Sequence, residues 1–166
     1  MPAEQGMERL IIEYGDTVLR MCFLYLKDYH LAEDAAQETF IKAMKHYDSF
    51  NRKSSEKTWL TRIAINCCKN IMRMNWFRLG RGQLEENIQT VATDPIEKVL
   101  ERDGITRAIQ SMEVQDRELI ILYYYQELSM KEIAQVIGKS ENVTIQRVNR
   151  ARKKLKKILM EVGYGL

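Results

Sequence analysis

Proline stands at only two of 166 positions, Pro2 and Pro95, and the chain shows almost no apolar-polar alternation of the kind a half-buried strand needs. Helix breakers are thus confined to one end and one interior point. Apolar residues meanwhile recur every three or four positions, so the expected fold is all-α. Met7 to Leu26 carries Leu10, Ile11, Tyr14, Val18, Cys22 and Tyr25 on one expected inner face. A second helix, Leu31 to about Tyr47, turns Ala32, Ala35, Ala36, Phe40, Ala43, Met44 and Tyr47 inward, and a third, Thr58 to about Asn75, does so with Leu60, Ile63, Ala64, Cys67, Ile71 and Met74. Three matching stripes make one bundle.

From Phe77 to Asp94 the periodicity fades around Gly80 and Gly82, and Pro95 closes the stretch. Its 18 residues span at most roughly 60 Å, about the length of 18 base pairs. The pattern resumes at Ile96 with Val99, Leu100, Ala108, Ile109 and Met112, then runs through an all-round apolar segment, Asp116 to Gln126, and two further helices, Ser129 to Gly138 and Ser140 to Leu159. The expected organisation is two small helical bundles, residues 1–76 and 96–166, joined by a flexible acidic linker at 77–95.

The last two helices carry the most specific local grammar. Ser129 with Glu132 three residues on forms a capping box, Gly138 suits a left-handed turn, and Ser140 caps the next helix. Ala134 is small enough for a second helix to cross closely. This is the pattern of a helix-turn-helix, whose second helix enters the major groove. Along it Val148, Ala151, Leu155 and Ile158 are expected inward. Gln146, Arg147, Arg150, Lys153, Lys154 and Lys157 point out, the cations toward phosphates, while Glu141, Asn142, Val143 and Gln146 are placed for base edges.

Charge is segregated along the chain. Lys+Arg against Asp+Glu runs 5 to 9 over residues 1–51, 8 to 1 over 52–82, 4 to 10 over 83–128 and 9 to 3 over 129–166. Two basic blocks imply two contacts with a polyanion, each strengthened by counterion release. In the first block Arg62, Asn66, Lys69 or Asn70, and Arg73 recur opposite the apolar stripe of the third helix, and the loop Asn51 to Lys57 precedes them with Arg52, Lys53, Ser54 and Ser55. Such a loop suits an unstacked base. Trp59 and Phe50 are expected in the core; Trp76 and Phe77 suit packing and stacking equally. Glu33, Asp34, Gln37 and Glu38 complement a helix dipole at its N-terminus, but Gln37 and Glu38 lie beyond the first turn, which points to a protein-binding face.

Catalysis finds no support. His30 and His46 are isolated, no carboxylates converge in a motif, and Cys22, Cys67 and Cys68 lie in apolar patterns without metal-ligand spacing, so no catalytic residue, metal or cofactor is expected. The acidic start MPAEQGMERL is no secretory leader and no apolar run reaches about 20 residues, so a cytoplasmic chain without membrane insertion is expected.

The segments AEDAAQETFIKAM, YDSF and TWLTRIAINCCKN, then REL, LSMKEIAQVIG and RVNRARKKL, together resemble an extracytoplasmic-function sigma factor of bacterial RNA polymerase, over nearly the whole chain. The resemblance implies a promoter-specificity subunit, with a sigma2-like domain at 1–76 and a sigma4-like domain at 96–166. It implies that Asp34, Gln37 and Glu38 dock on the beta-prime clamp helices of core polymerase. Asn51, Arg52, Lys53, Ser54 and Ser55 would capture a flipped base of the melted -10 element, with Arg62, Asn66, Lys69, Asn70 and Arg73 along that element. Ser140, Glu141, Asn142, Val143, Gln146, Arg147 and Arg150 would read the duplex -35 element. The beta flap and an anti-sigma factor are further implied partners, and the linker would thread the polymerase's RNA path. A free-standing helix-turn-helix regulator binding duplex DNA as a dimer is the alternative, and a DNA-processing enzyme a more distant one.

Overall fold

The computed structural model describes residues 2–79 and 104–163, with side chains for 5–76 and 104–163. All regular structure among the described residues is helical. The chain divides into two compact units, 1–90 and 91–166. The expected linker at 77–95, with Phe77 and the apolar positions Ile96, Val99 and Leu100, lies almost wholly outside the described residues; only the backbone of 77–79 is described, as the end of a helix.

In the first unit α1 (Pro2–Leu26), α2 (Tyr29–His46) and α3 (Glu56–Leu79) pack pairwise against one another. Lys27 takes a left-handed backbone, φ 66°, to close α1. Asp28 then caps α2, its carboxylate accepting the Leu31 N–H at 3.1 Å. The inner face of α2 is made of Ala32, Ala35, Thr39 and Ala43, all buried, so small side chains let its neighbours approach. Thr39 is satisfied there by donating to the Ala35 carbonyl at 2.6 Å. Met7, Leu10, Ala43 and Leu60 form a cluster lined by Tyr14, Phe40, Tyr47, Trp59 and Ile63. Truncating a buried residue such as Leu10 to alanine costs about 2–5 kcal/mol by lost transfer energy and the cavity left behind.

Three expected core residues are not in it. Ile11 is 49% exposed, Met44 52% and Met74 64%. Ile11 and Met44 sit at the edges of their stripes. Met74 lies in the last turns of α3, beside the exposed sector that holds Arg73, and Trp76 is exposed with it.

In the second unit α4 (Gly104–Gln110) and α5 (Val114–Ile120) precede a π-helical turn, Ile121–Tyr125, and then α6 (Met130–Ile137) and α7 (Glu141–Glu161). Helix α7 packs on α4, α5 and α6. Leu119 to Leu122 are all buried, as their all-round apolarity requires. The Arg117 guanidinium, also buried, donates to the Met112 carbonyl at 2.9 Å at the end of α4. No described helix is long and apolar enough to cross a membrane.

Candidate nucleic-acid interface

The expected turn between α6 and α7 is present in its atomic detail. Ser129 Oγ accepts the Glu132 N–H at 3.1 Å while Glu132 Oε1 accepts the Ser129 N–H at 3.0 Å. Gly138 ends α6 at φ 68°, its N–H on the Ala134 carbonyl at 2.9 Å, and Ser140 Oγ accepts the Val143 N–H at 3.2 Å to start α7. Only two residues, Gly138 and Lys139, separate α6 from the Ser140 cap, so the second helix departs abruptly from the first.

Helix α7 has one inward line, Thr144, Val148, Ala151 and Leu155, all buried. At 100° per residue the opposite side holds Asn142, Gln146 and Arg150, with Val143 on the flank and Arg147 nearer the buried line, and each is exposed. Lys153 and Lys157 continue this stripe. Glu141 and Ser140 are exposed at its N-terminal end. Lys154, expected to reach phosphate, is instead held 2.9 Å from Asp116 and fastens α7 to α5. Arg152 lies on another side, its Nε donating to the Tyr124 hydroxyl at 2.9 Å and its guanidinium 5.0 Å from the Tyr123 ring centroid. The hydrogen bond to Tyr124 is the main reason that its pKa is raised. Neither residue was legible as a clamp, since its partner lies 28 or more positions away.

On α3 the positions Arg62, Asn66, Lys69, Asn70 and Arg73 fall within a sector of about 100° of the helix. All are exposed but Lys69, which is half-buried. Before them, Tyr47–Ser49 forms a short 3-10 turn. Phe50 then stacks against Trp59, centroids 4.7 Å apart, and Tyr47 meets the same indole edge-on at 6.2 Å. Both aromatics therefore belong to packing, whereas Trp76 is 42% exposed. Asn51, Arg52, Lys53 and Ser55 are exposed and Ser54 is half-buried. The Asn51 side-chain oxygen accepts the Lys53 N–H at 3.1 Å, Arg52 adopts φ 59°, and Ser55 Oγ accepts the Thr58 N–H at 3.1 Å. The loop is a structured turn that offers cations and a carboxamide.

One residue outside the expected set joins this loop. Arg9 of α1 bonds Glu56, in the first turn of α3, and Glu13 at 3.0 Å. Its pKa is raised, chiefly by the hydrogen bond to Glu56 and next by one to Tyr47. Gly6, one turn earlier, meets Tyr47 so closely that a Cβ there would lie 3.1 Å from the phenol oxygen. Local periodicity carries no signal for a pairing across 47 positions.

On α2, Asp34, Gln37 and Glu38 are exposed on one side, and exposed Ile41 and Met44 extend it toward the C-terminus. His30 and His46 are exposed; Cys22, Cys67 and Cys68 are buried free thiols. Burial is the main cause of the raised Cys67 pKa.

The family model described as Sigma-70 region 2 matches residues 10–78, and that described as Sigma-70, region 4 matches 102–155. The chain is 30% identical over 166 residues to RNA polymerase sigma factor YlaC of Bacillus subtilis, covering 95% of this chain and 94% of the relative. It is 29% identical over 161 residues to the ECF RNA polymerase sigma factor SigW of the same organism, covering 90% and 86%. Among solved structures, the sigma factor RpoE of Bartonella quintana, crystallised with the anti-sigma factor NepR, superposes with a TM-score of 0.78 at 25% identity, covering 94% of this chain and 98% of that one. A region 2 match over the α3 face and a region 4 match over the α6–α7 turn, on a chain that spans nearly the full length of such relatives, leave one conclusion: this chain belongs to the extracytoplasmic-function sigma factors of RNA polymerase.

Proposed function

We propose a division of labour among named surfaces of a chain that is, as a sigma factor, a promoter-specificity subunit of RNA polymerase acting with core enzyme and promoter DNA. In this reading residues 1–76 form the domain that docks on core polymerase and handles the melted -10 element, 77–95 the acidic linker, and 96–166 the domain that reads the -35 duplex. Asn142, Val143 and Gln146 meet base edges, and Arg147 and Arg150 meet phosphate at the groove rim. Ser140 and Glu141 lie at the helix start, where the amide dipoles favour an approaching phosphate. The Ser140 hydroxyl accepts the cap bond and keeps its O–H free to donate to a phosphate oxygen.

Asn51 to Ser55 receive an unstacked base, and Arg62, Asn66, Lys69, Asn70 and Arg73 follow the single strand beside it. Asp34, Gln37 and Glu38, with Ile41 and Met44 beside them, form the docking face for the beta-prime clamp helices; the second domain meets the beta flap. The observation that carries this division is the pairing of two exposed cationic helix faces, each opposite a buried apolar line, in two separate units.

An anti-sigma factor is a further partner in this reading, supported by the solved relative RpoE being bound to NepR. The family is a non-catalytic subunit, and we assign this chain no reaction of its own and a cytoplasmic site of action. The dimeric stand-alone regulator is not favoured, because matches to two polymerase-subunit regions occupy both units. Run-off transcription with reconstituted holoenzyme on a genomic library tests the reading. New start sites absent from core polymerase alone are the expected result; unchanged start sites together with tight palindrome binding by the free chain would overturn it.

A further inference from the structure

The loop from Phe50 to Ser55 is held at both ends by contacts to a helix that precedes it by some forty residues. At its near end, Tyr47 lies against Gly6 of α1, within the distance at which any side chain there would crowd the phenol. At its far end, Glu56 is bonded by Arg9, one turn further along the same helix. Arg9 is additionally steadied by Glu13 at 3.0 Å. Between these anchors the loop makes a tight turn through Asn51 and Lys53, with Arg52 at φ 59°. A non-glycine residue keeps such a backbone only where its surroundings determine it.

We propose that Arg9 is a positioning residue for this loop: by joining Glu56 while α1 closes on Tyr47, it fixes the separation of the loop's two ends and hence how Asn51, Arg52 and Lys53 meet an unstacked base. The inference rests on the base-capture reading of the loop. A guanidinium suits the task because its rigid plane presents separate nitrogens to Glu56 and to Glu13 at once, and so holds the Glu56 bond in one direction where a point charge would tolerate many. Alone, a half-exposed ion pair contributes little to global stability. Its effect is therefore expected in the geometry of the loop, where a small displacement changes which base is accepted.

The test uses holoenzyme reconstituted with core polymerase and promoters in which each base of the melted element is substituted in turn, with the rate of strand opening as the readout. Wild type should discriminate at one base, and Asn51→Ala should abolish that discrimination. Arg9→Ala and Glu56→Gln should each lower discrimination at that base by about twofold to fivefold, the range available to an exposed pair. Response to substitutions in the distal duplex element should stay unchanged. Arg9→Lys, which preserves helix and charge, should recover part of the loss.

Wild-type discrimination retained by both Arg9→Ala and Glu56→Gln would overturn the inference while leaving the base-capture reading intact. So would an equal loss at every promoter position accompanied by a lower melting temperature, since that marks a purely structural role. Absence of discrimination in wild type, or its survival in Asn51→Ala, would reject the base-capture reading and the inference with it.

Discussion

The hydroxyl of Thr144 donates to the backbone carbonyl of Ser140 at 2.8 Å, and the residue is fully buried. The buried line Thr144, Val148, Ala151 and Leu155 sets the rotation of α7. With the Thr144 hydroxyl satisfied on that line, Asn142, Gln146 and Arg150 are held on the outer side and Val143 and Arg147 on its flanks, all exposed, whereas Ile145 is half-buried. The Ser140 carbonyl also accepts the Thr144 N–H at 3.0 Å. Thr144→Val therefore leaves that carbonyl paired and should change stability by less than about 1.5 kcal/mol, with base preference unaltered. Urea denaturation and binding selection on randomised duplex check both halves.

Asn142 and Arg150 should fail differently. Loss of a carboxamide from the base-facing end of α7 by Asn142→Ala should relax preference at one position by about 1–3 kcal/mol. Arg150→Ala should weaken all sequences alike and lower the slope of log affinity on log salt by about 0.9. Holoenzyme titrations at several salt concentrations on matched and mismatched sites separate the two; equal loss on every sequence from both would contradict the assignment.

The docking face yields a charge test. Asp34→Arg with Glu38→Arg reverses two exposed charges and leaves the buried line Ala32, Ala35, Thr39 and Ala43 untouched. Helicity should be preserved while association with core polymerase is lost. Co-purification at the wild-type level would reject this face.

Caps and a left-handed glycine shape the α6–α7 turn. Ser129→Ala removes the acceptor for the Glu132 N–H and should cost about 0.5–2 kcal/mol. Gly138→Ala meets no atom within 4 Å but must hold φ 68°, and should cost about 1–2 kcal/mol through backbone strain alone. Denaturant midpoints should fall in both variants, with the α3 face unaffected.

Alkali should loosen the first unit through the Cys67 thiol. Burial raises the Cys67 pKa above its unfolded value, so the protonated thiol contributes stability below that value, and the contribution is lost as pH rises through the folded pKa. Stability should decline from about pH 8.5 upward rather than on the acid side. Cys22, Cys67 and Cys68 should label slowly with a thiol reagent in the native protein and rapidly in urea, and fast native labelling of Cys67 would contradict the burial.

The features legible in the sequence were those encoded within four or five residues. Ser129 with Glu132, Gly138, and Ser140 each announce a backbone geometry that their own chemistry enforces, and the structure has all of them. The all-helical class followed from periodicity for the same reason. What escaped depends on distant partners. Arg9 with Glu56 and Lys154 with Asp116 are ordinary surface charges until the fold brings them together. Ile11, Met44 and Met74 read as core because periodicity gives the direction of a stripe but not its width. A buried threonine such as Thr144 needs a carbonyl acceptor that only the folded helix displays.

The account stands or falls on two cationic helix faces meeting different parts of one promoter, and strand-specific footprinting of holoenzyme measures this directly. Arg62→Ala, Lys69→Ala and Arg73→Ala combined should abolish strand opening while keeping protection of the distal duplex. Arg147→Ala with Arg150→Ala should lose that protection yet still engage a pre-melted template. Loss of both signals together from either set of substitutions, or of neither, would contradict the account.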